Sequence, residues 1–285
     1  MAAVASLGEI ADAFDVAVLD QWGVLHDGTD PYPGAADAVD ALRAMGKRIA
    51  VLSNSGRRAA PNAARIRAKG FGIADGEVVT SGEALRRDVE AGRVGPFGCP
   101  LIVTARPEDA RDWARGLPDS VALDPVDDAA EADILVVLGL PDGASPGPFA
   151  AMLETGLARG LTLVCGNPDR ASPRPGGVTA MQPGALAHFY EGRGGTVRWY
   201  GKPHVPVFRE VERLYPDVPR ERFLMVGDSP EHDIAGAHAA GWRSALVRGG
   251  LHADALADGT DASVRALCAR EGTAPPTVHL RHLAA

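Results

Sequence analysis

Residues 16–23 read Val-Ala-Val-Leu-Asp-Gln-Trp-Gly, four apolar residues followed directly by a carboxylate and, three positions later, by a glycine. A short continuous apolar run that ends in polar and turn-forming residues is typical of a buried strand in a parallel sheet. Similar runs alternate along the chain with alanine- and arginine-rich segments of helical composition. This alternation predicts βα units and therefore an α/β protein.

Nine such runs are predicted to be strands, which is a large number for one sheet. They lie at residues 16–19, 48–52, 78–80, 101–104, 134–138, 161–165, 197–200, 222–226 and 244–247. Glycine- and proline-rich stretches interrupt the pattern at residues 94–100, 171–177 and 192–195. Because insertions are tolerated in such exposed segments, they indicate an inserted domain, which we place at residues 97–198. Residues 1–96 and 199–285 would then form a discontinuous core.

Proline and glycine also mark the ends of two predicted helices. Pro61 suits the first position of one helix, and Gly70 suits its C-terminal cap. Pro230 and Gly241 bracket residues 231–240 in the same way. Both segments follow predicted strands, as a βα repeat requires.

The composition places the chain among folded globular proteins. Of its 285 residues, 46% are apolar and 23% are charged, which excludes a disordered or collagen-like chain. No apolar run approaches the roughly 18 residues of a membrane span. The net charge of −8 disfavours attraction to nucleic acid or to an anionic membrane. The first basic residue is Arg43, so no secretory or transit signal is recognised, and we expect a cytoplasmic protein.

Two further features of the composition bear on the site. The three cysteines show no CxxC spacing, which argues against a disulfide framework and a cysteine-based zinc site. Between Asp40 and Asp75 the chain carries eight basic residues and no acidic one. This basic stretch is interpreted either as solvated helix surface or as a rim that attracts anionic substrates.

Four reactive side chains follow four of the predicted strands. They are Asp20, Ser53, Lys202 and Asp228. In an open parallel sheet, ligands bind at the carboxyl ends of the strands, so these residues can converge although they are distant in sequence. Paired carboxylates suit a hard cation such as Mg²⁺, whereas a lysine and a hydroxyl suit a phosphate. Each residue alone would be an ordinary cap or turn residue, but together they predict a metal-assisted phosphoryl site.

The same residues lie in segments that resemble the motifs of a known family. Residues 20–28, 52–55, 201–203 and 227–233 are similar, in this order, to motifs one to four of the haloacid dehalogenase superfamily. The similarity extends through residues 80–82, 166–169 and 183–186 to its class IIA branch, the 4-nitrophenylphosphatase-like or N-acetylglucosamine-metabolism-type phosphatases. It implies a Rossmann-like core with a type-two α/β cap inserted between motifs two and three.

The resemblance also implies roles for individual residues. Asp20 would be the nucleophile that forms an aspartyl-phosphate. Ser53 would hydrogen-bond the phosphoryl oxygens together with backbone N–H groups near Asn54 and Ser55, although Ser-Asn-Ser is also an ordinary turn sequence. Lys202 would neutralise the charge that the nucleophile shares with the transferring group.

Metal and substrate ligands follow from the same resemblance. Asp228 would bind Mg²⁺ together with the Asp20 carboxylate and the backbone carbonyl of Trp22. Asp233 would either lie in or just behind this ligand shell or stabilise the N-terminal turn of the following helix. In the inserted domain, Asn167 and Asp169 would face the leaving group of the substrate, or would simply form a turn.

Trp22 departs from the pattern of the superfamily. Most of its phosphatases have an aspartate two residues after the nucleophile, which protonates the leaving group and then activates water. Tryptophan can do neither, and general acid–base catalysis is worth about a hundred- to ten-thousand-fold in rate. The backbone carbonyl at this position would still bind the metal. His26 or Asp27 would replace the aspartate as proton donor, His26 having the more suitable ordinary pKa, or both would only contribute polarity to the loop.

These expectations lead to two alternative functions. The first is a Mg²⁺-dependent phosphatase of small phosphorylated metabolites, slowed by the loss of the usual acid–base aspartate. The second is a non-catalytic binding or sensor protein for a phosphate ligand. Dehalogenation is a third alternative, but it needs no cation and is disfavoured by Asp228 and Lys202. Whether the chain forms a homodimer is left open.

Overall fold

The computed structural model describes residues 1–94, 97–118, 121, 123–173 and 179–285. It consists of two compact units. The first comprises Met1–Ser53, Ala59–Val79 and Lys202–Ala285, and the second comprises Asn54–Arg58 and Thr80–Gly201. Residues 95–96, next to the predicted domain boundary, and residues 174–177 of the predicted interruption lie outside the described residues.

Strands and helices alternate through both units. In chain order the strands are β1 (Ala2–Ala3), β2 (Val16–Leu19), β3 (Arg48–Ser53), β4 (Val78–Thr80), β5 (Pro100–Val103), β6 (Ile134–Val137), β7 (Thr162–Cys165), β8 (Ala171–Pro173), β9 (Thr179–Met181), β10 (Thr196–Trp199), β11 (Phe223–Gly227), β12 (Arg243–Val247) and β13 (Val278–Leu280). The helices are α1 (Ala35–Ala44), α2 (Ala59–Arg67), α3 (Ser81–Glu90), α4 (Pro107–Ala114), α5 (Ala150–Arg159), α6 (Pro183–Gly192), α7 (Val205–Leu214), α8 (Ala235–Ala240) and α9 (Asp261–Arg270). No helix in the described part of the chain is long and apolar enough to cross a membrane.

The first unit is built on a seven-stranded sheet with the order β1-β13-β12-β11-β2-β3-β4. The pairings from β1 to β3 along this order are parallel. All four residues of β2 are buried, because neighbouring strands flank it on both sides and its two faces are covered. This explains why β2 reads as a continuous apolar run rather than as an alternating one.

The register of the central strands positions the site. Leu19, the last residue of β2, pairs with Val226 of β11 on one side and with Val51 of β3 on the other. The residues that follow these three positions therefore leave the sheet at the same edge. This edge is the carboxyl end of the parallel strands, where ligands bind in open α/β sheets.

The second unit contains its own parallel sheet, with the order β10-β7-β6-β5, and an antiparallel pair formed by β8 and β9. Its buried apolar cluster includes Leu135, Leu163 and Tyr190. The predicted α/β class is thus confirmed for both units. Contacts within the chain place α3 in the second unit, whereas the sequence-based division places α3 in the core. The domain limits of 97 and 198 stay a prediction.

The nine predicted strands are all present, and their ends differ from the predicted ends by at most one residue. Four short strands of the described residues were not predicted, namely β1, β8, β9 and β13. Two or three residues are too few to show a period.

The two predicted helices differ from the observed ones at their starts. Helix α2 begins at Ala59, so Pro61 is its third residue. A proline is tolerated there because the N–H groups of the first turn have no partner within the helix. Residues 231–240 form a π-helical turn (Pro230–Ile234) followed by α8, and Gly241 ends α8 in the left-handed conformation, with φ of 80°.

Phe208 on α7 provides a test of core packing in the first unit. Its fully buried ring lies edge-on to Trp242, with ring centroids 5.1 Å apart. We predict that Phe208→Ala lowers the free energy of unfolding by about 3–5 kcal/mol, because it removes buried area and leaves a cavity. Urea titration followed by tryptophan fluorescence measures the loss. Phe189→Ala is the control, since half of that side chain is exposed, and it should change the free energy far less.

Candidate active site

Asp20 is the first residue after β2, at the carboxyl end of the sheet. Its backbone N–H donates to the carbonyl of Val226 at 2.8 Å, which continues the ladder between β2 and β11 by one residue. Its carboxylate oxygen Oδ1 accepts a hydrogen bond from the N–H of Gln21 at 2.7 Å. The side chain is 13% exposed. The backbone therefore holds Asp20 in place while its carboxylate stays open to a small ligand.

Lys202 contacts two carboxylates, although it does not follow a strand of their sheet as predicted, since β10 belongs to the sheet of the second unit. Its Nζ is 2.6 Å from Oδ1 of Asp20 and 2.7 Å from Oδ1 of Asp233, and its side chain is only 3% exposed. Burial alone would lower the pKa of Lys202, but the two carboxylates outweigh burial and raise its pKa above the ordinary value. Lys202 is therefore a permanent positive charge at neutral pH.

Asp228 and Asp233 follow β11, the neighbour of β2. Asp228 accepts a hydrogen bond from the N–H of Leu251 at 2.6 Å, and Asp233 accepts one from the N–H of Ser229 at 3.1 Å. Burial, with a further contribution from the charge of Asp233, raises the pKa of Asp228 to about 7. The site thus contains more negative charge than its single lysine neutralises.

The carboxylates are arranged as a cation site requires. One oxygen from each of Asp20, Asp228 and Asp233 lies within 4.8 Å of the other two. Burial and the neighbouring carboxylates raise the pKa of Asp20 well above its ordinary value, although Lys202 opposes the shift. A divalent cation would relieve this excess of negative charge, and hard cations prefer carboxylate oxygens. The donor set therefore fits Mg²⁺.

Glycines lie against these carboxylates at positions where any larger residue would clash with them. A Cβ atom on Gly23 would lie 1.8 Å from Oδ2 of Asp228, and a Cβ on Gly250 would lie 2.2 Å from the same oxygen. A Cβ on Gly227 would lie 2.1 Å from Cγ of Asp233. Sequence analysis did not identify Gly250 or the N–H of Leu251. The glycine pair 249–250, just beyond the end of β12, is the sequence feature that could have indicated this close backbone contact.

The loop after Asp20 carries the partly exposed side chain of Trp22. The indole is 38% exposed and lies edge-on to the ring of His26, with ring centroids 5.6 Å apart and an interplanar angle of 66°. Gly28, with φ of 104°, passes so close to the indole that a Cβ there would lie 2.3 Å from its Cη2 atom. The loop therefore holds the tryptophan ring in a fixed place.

His26 is buried inside the same loop. Its Nδ1 accepts a hydrogen bond from the N–H of Gly28 at 2.9 Å, and its Nε2 lies 3.0 Å from the side-chain amide of Gln21. Burial, with a contribution from the charge of Lys69, lowers the pKa of His26 to about 4. His26 is therefore neutral at pH 7, with both nitrogens in use. This geometry supports the loop-forming alternative, and the role of proton donor stays a prediction.

Ser53 ends β3 and is buried, one residue beyond the strand neighbour of Asp20. The other predicted phosphate and substrate ligands belong to the second unit, where they share hydrogen bonds. The side-chain N–H of Asn54 donates to Oδ1 of Asp169 at 2.7 Å, and the N–H of Asp169 donates to Oδ1 of Asn167 at 3.1 Å. The carbonyl of Ser55 accepts from the N–H of Gly82. Their roles in substrate binding stay predictions.

Half of the basic stretch is paired with acids. Arg43, Arg48, Arg58 and Arg67 form ion pairs of 2.6–2.8 Å with Glu77, Asp217, Glu83 and Asp75, respectively. These arginines thus stabilise their own unit, as the interpretation of the stretch as helix surface expects. Arg65 and Lys69 instead line an open hollow of about 500 Å³ beside residues 28–31. The interpretation of the stretch as an anion-attracting rim stays a prediction.

The burial of neutral His26 generates a prediction about pH. Below its ordinary pKa of 6.5 the unfolded chain binds a proton that the folded protein takes up only near pH 4, so stability falls as the pH falls. We expect the wild type to lose about 2 kcal/mol more than His26→Gln between pH 7 and pH 5. Urea titrations of both proteins at each pH measure this difference. Equal losses, or an NMR titration of the His26 ring near pH 6.5, would contradict the assignment.

Two sequence profiles match this chain. Residues 17–110 match the sequence profile of the haloacid dehalogenase-like hydrolases, and residues 199–269 match a second profile of the same group. The D-glycerol 3-phosphate phosphatase of Mycobacterium tuberculosis is 28% identical over 248 residues, which are 85% of this chain. The match spans 65% of that enzyme, just under two thirds of its length.

Solved structures agree with the profiles. A hydrolase of the haloacid dehalogenase-like family from Brucella suis superposes with a TM-score of 0.77 at 27% identity, over 98% of this chain and 99% of that one. The glycerol phosphate phosphatase from Mycobacterium tuberculosis in complex with magnesium gives a TM-score of 0.70 at 26% identity, over 87% of this chain and 72% of that one. The two profiles together cover more than half of the chain, including all four motifs around Asp20, Ser53, Lys202 and Asp228. The chain therefore belongs to the haloacid dehalogenase-like hydrolases, in their class IIA branch of phosphatases.

Proposed function

We propose that this protein is a Mg²⁺-dependent phosphatase that hydrolyses small organic phosphate monoesters through an aspartyl-phosphate at Asp20. The observation that carries the proposal is the buried lysine shared by two carboxylates, with a third carboxylate beside them. Such a cluster supplies a nucleophile, a fixed positive charge and oxygen ligands for a cation within one small space. The related phosphatase crystallised with magnesium supports the same assignment.

In the first step the Asp20 carboxylate attacks the phosphorus atom. Within the part of the chain that the structure describes, Lys202 and the N–H of Gln21 both contact Oδ1, so we assign the attack to Oδ2. A bond forms between this oxygen and phosphorus, while the bond from phosphorus to the leaving-group oxygen breaks with its electron pair. Lys202 favours the ionised form of Asp20 and would stabilise the charge that develops on the phosphoryl oxygens. Ser53, at the neighbouring strand end, would donate a hydrogen bond to them.

The residues proposed to hold Mg²⁺ are Asp20, Asp228 and the backbone carbonyl of Trp22, with Asp233 at or just behind them. The bound ion would neutralise the carboxylates and stabilise negative charge on the transferring phosphoryl group. Asp233 also forms an ion pair with Lys202. Its two contacts support a role in positioning the lysine.

In the second step water attacks the phosphorus of the aspartyl-phosphate, the bond from phosphorus to Oδ2 of Asp20 breaks with its electron pair returning to the carboxylate, and inorganic phosphate is released. The water must lose a proton, and the indole of Trp22 cannot accept one. We therefore propose that breakdown of the phosphoenzyme limits the overall rate. The same observation favours a second candidate function, in which the protein binds a phosphate ligand without turnover. The two functions differ in whether a phosphoenzyme forms.

Substitution of the nucleophile tests the first step. We predict that Asp20→Asn abolishes turnover of 4-nitrophenyl phosphate, since an amide cannot form the acyl phosphate. Rapid quench followed by mass spectrometry should find the wild-type phosphoenzyme on the peptide that contains Asp20, and none in the variant. A phosphate on another residue, or wild-type rates in Asp20→Asn, would exclude the mechanism. A folded wild type that binds Mg²⁺ but forms neither phosphoenzyme nor product would leave the binding-protein alternative.

Substitution of Asp228 tests the cation site. We predict that Asp228→Asn raises the Mg²⁺ concentration needed for half-maximal activity at least tenfold, since the variant loses one anionic ligand. Magnesium titrations of the rate, together with calorimetric titration of Mg²⁺ into the resting protein, measure the change. Asp217→Asn is the matched control, because Asp217 is an exposed aspartate paired with Arg48. An equal effect in the control would contradict the assignment.

A further inference from the structure

The loop between Asp20 and Asp30 presents one large aromatic side chain to solvent. Trp22 is 38% exposed, although Asp228, Asp233 and Lys202 next to this loop are nearly inaccessible. A single exposed apolar side chain is common at protein surfaces and carries no meaning by its area alone. Trp22 differs from an ordinary exposed side chain in its position beside the carboxylates and in the contacts that hold its ring.

Trp22 stands between two residues that touch the site carboxylates. The N–H of the preceding Gln21 donates to Oδ1 of Asp20, and the Cα of the following Gly23 packs directly against Oδ2 of Asp228. Successive Cα atoms are about 3.8 Å apart, so the backbone of Trp22 lies within a few ångströms of both carboxylates. The side chain of Trp22 therefore starts beside the space in which a phosphate ester would react.

The indole is also held before any ligand arrives. One edge faces the ring of His26, and its far end lies against the backbone of Gly28, which has no side chain to push it away. His26 is itself fixed by the N–H of Gly28 and the amide of Gln21. A ring fixed in this way loses little conformational entropy when a ligand stacks on it.

We propose that Trp22 is a specificity-determining residue that stacks on a planar aromatic leaving group of the substrate. The inference rests on the proposed phosphatase function. An aromatic leaving group also suits the chemistry of position 22, where no proton can be supplied. When the bond from phosphorus to an aryl oxygen breaks, its electron pair remains on a phenolate, which solvent protonates afterwards. Phenols have a pKa near 10, so this departure is far easier than that of an alkoxide.

The test compares the binding of phenylphosphonate and methylphosphonate, which share the anion and differ in the ring, in the presence of Mg²⁺. We expect calorimetry to give about two- to tenfold tighter binding of phenylphosphonate to the wild type, the size of one aromatic contact. The ratio of the two affinities should persist in Trp22→Phe and fall to about one in Trp22→Leu. A ratio that survives in a folded Trp22→Leu protein would overturn the inference.

A second measurement covers the case in which Trp22→Leu does not fold. A nitrobenzylphosphonate stacked on the indole should quench a part of the wild-type tryptophan emission that is missing in Trp22→Phe. Equal quenching in both proteins would overturn the inference.

Turnover separates this inference from the function on which it rests. Acetyl phosphate also has a leaving group that departs unprotonated, but it carries no ring. Wild-type hydrolysis of acetyl phosphate supports the phosphatase function, and its absence argues against it. The ratio of kcat/KM for phenyl phosphate to that for acetyl phosphate then tests Trp22. We expect this ratio to fall about two- to tenfold in Trp22→Leu relative to Trp22→Phe. An unchanged ratio, with acetyl phosphate still hydrolysed, would reject the role of Trp22 alone.

Discussion

The ion pairs of Lys202 are the constraint on which the rest of the site depends. A buried ammonium costs several kcal/mol unless carboxylates compensate it, and buried carboxylates carry a similar cost. Asp20 and Asp233 reduce that cost by sharing one lysine, and each comes from a different strand end. The strands must therefore stay in register for the charges to meet. This requirement links the stability of the first unit to the geometry of its reactive groups.

The lysine does not balance the charge of the cluster. Asp228 is a further carboxylate beside the lysine. The pKa of Asp228 is raised because burial disfavours its charged form. Proteins maintain such costly groups where function requires them. The glycines packed against Asp228 are consistent with this, because the absence of a Cβ lets the backbone enclose the carboxylate. We interpret the uncompensated charge as the physical basis for binding a cation.

Much of this arrangement could be predicted from the sequence, and the exceptions have physical reasons. The strands and Asp20, Ser53 and Asp228 were predictable, because a buried run and the residue after it are local features. The strand-end argument was wrong for Lys202, because β10, the strand before it, is partly exposed and belongs to the sheet of the second unit. The protonation state of His26 was not predictable, because its low pKa arises from burial and from the charge of Lys69, which is distant in sequence. Contacts made by the backbone, such as the N–H of Leu251, leave no side-chain signature at all.

The strand order of the first unit also has a consequence for how the chain is made. Strand β2 lies between β3, its near neighbour in sequence, and β11, which follows some 200 residues later. A ribosome must therefore complete the whole second unit before β2 can acquire its other partner. Until then this apolar strand has one unpaired edge. Such a non-local pairing slows folding and leaves apolar surface exposed, so we expect the nascent chain to be prone to aggregation until β11 is made.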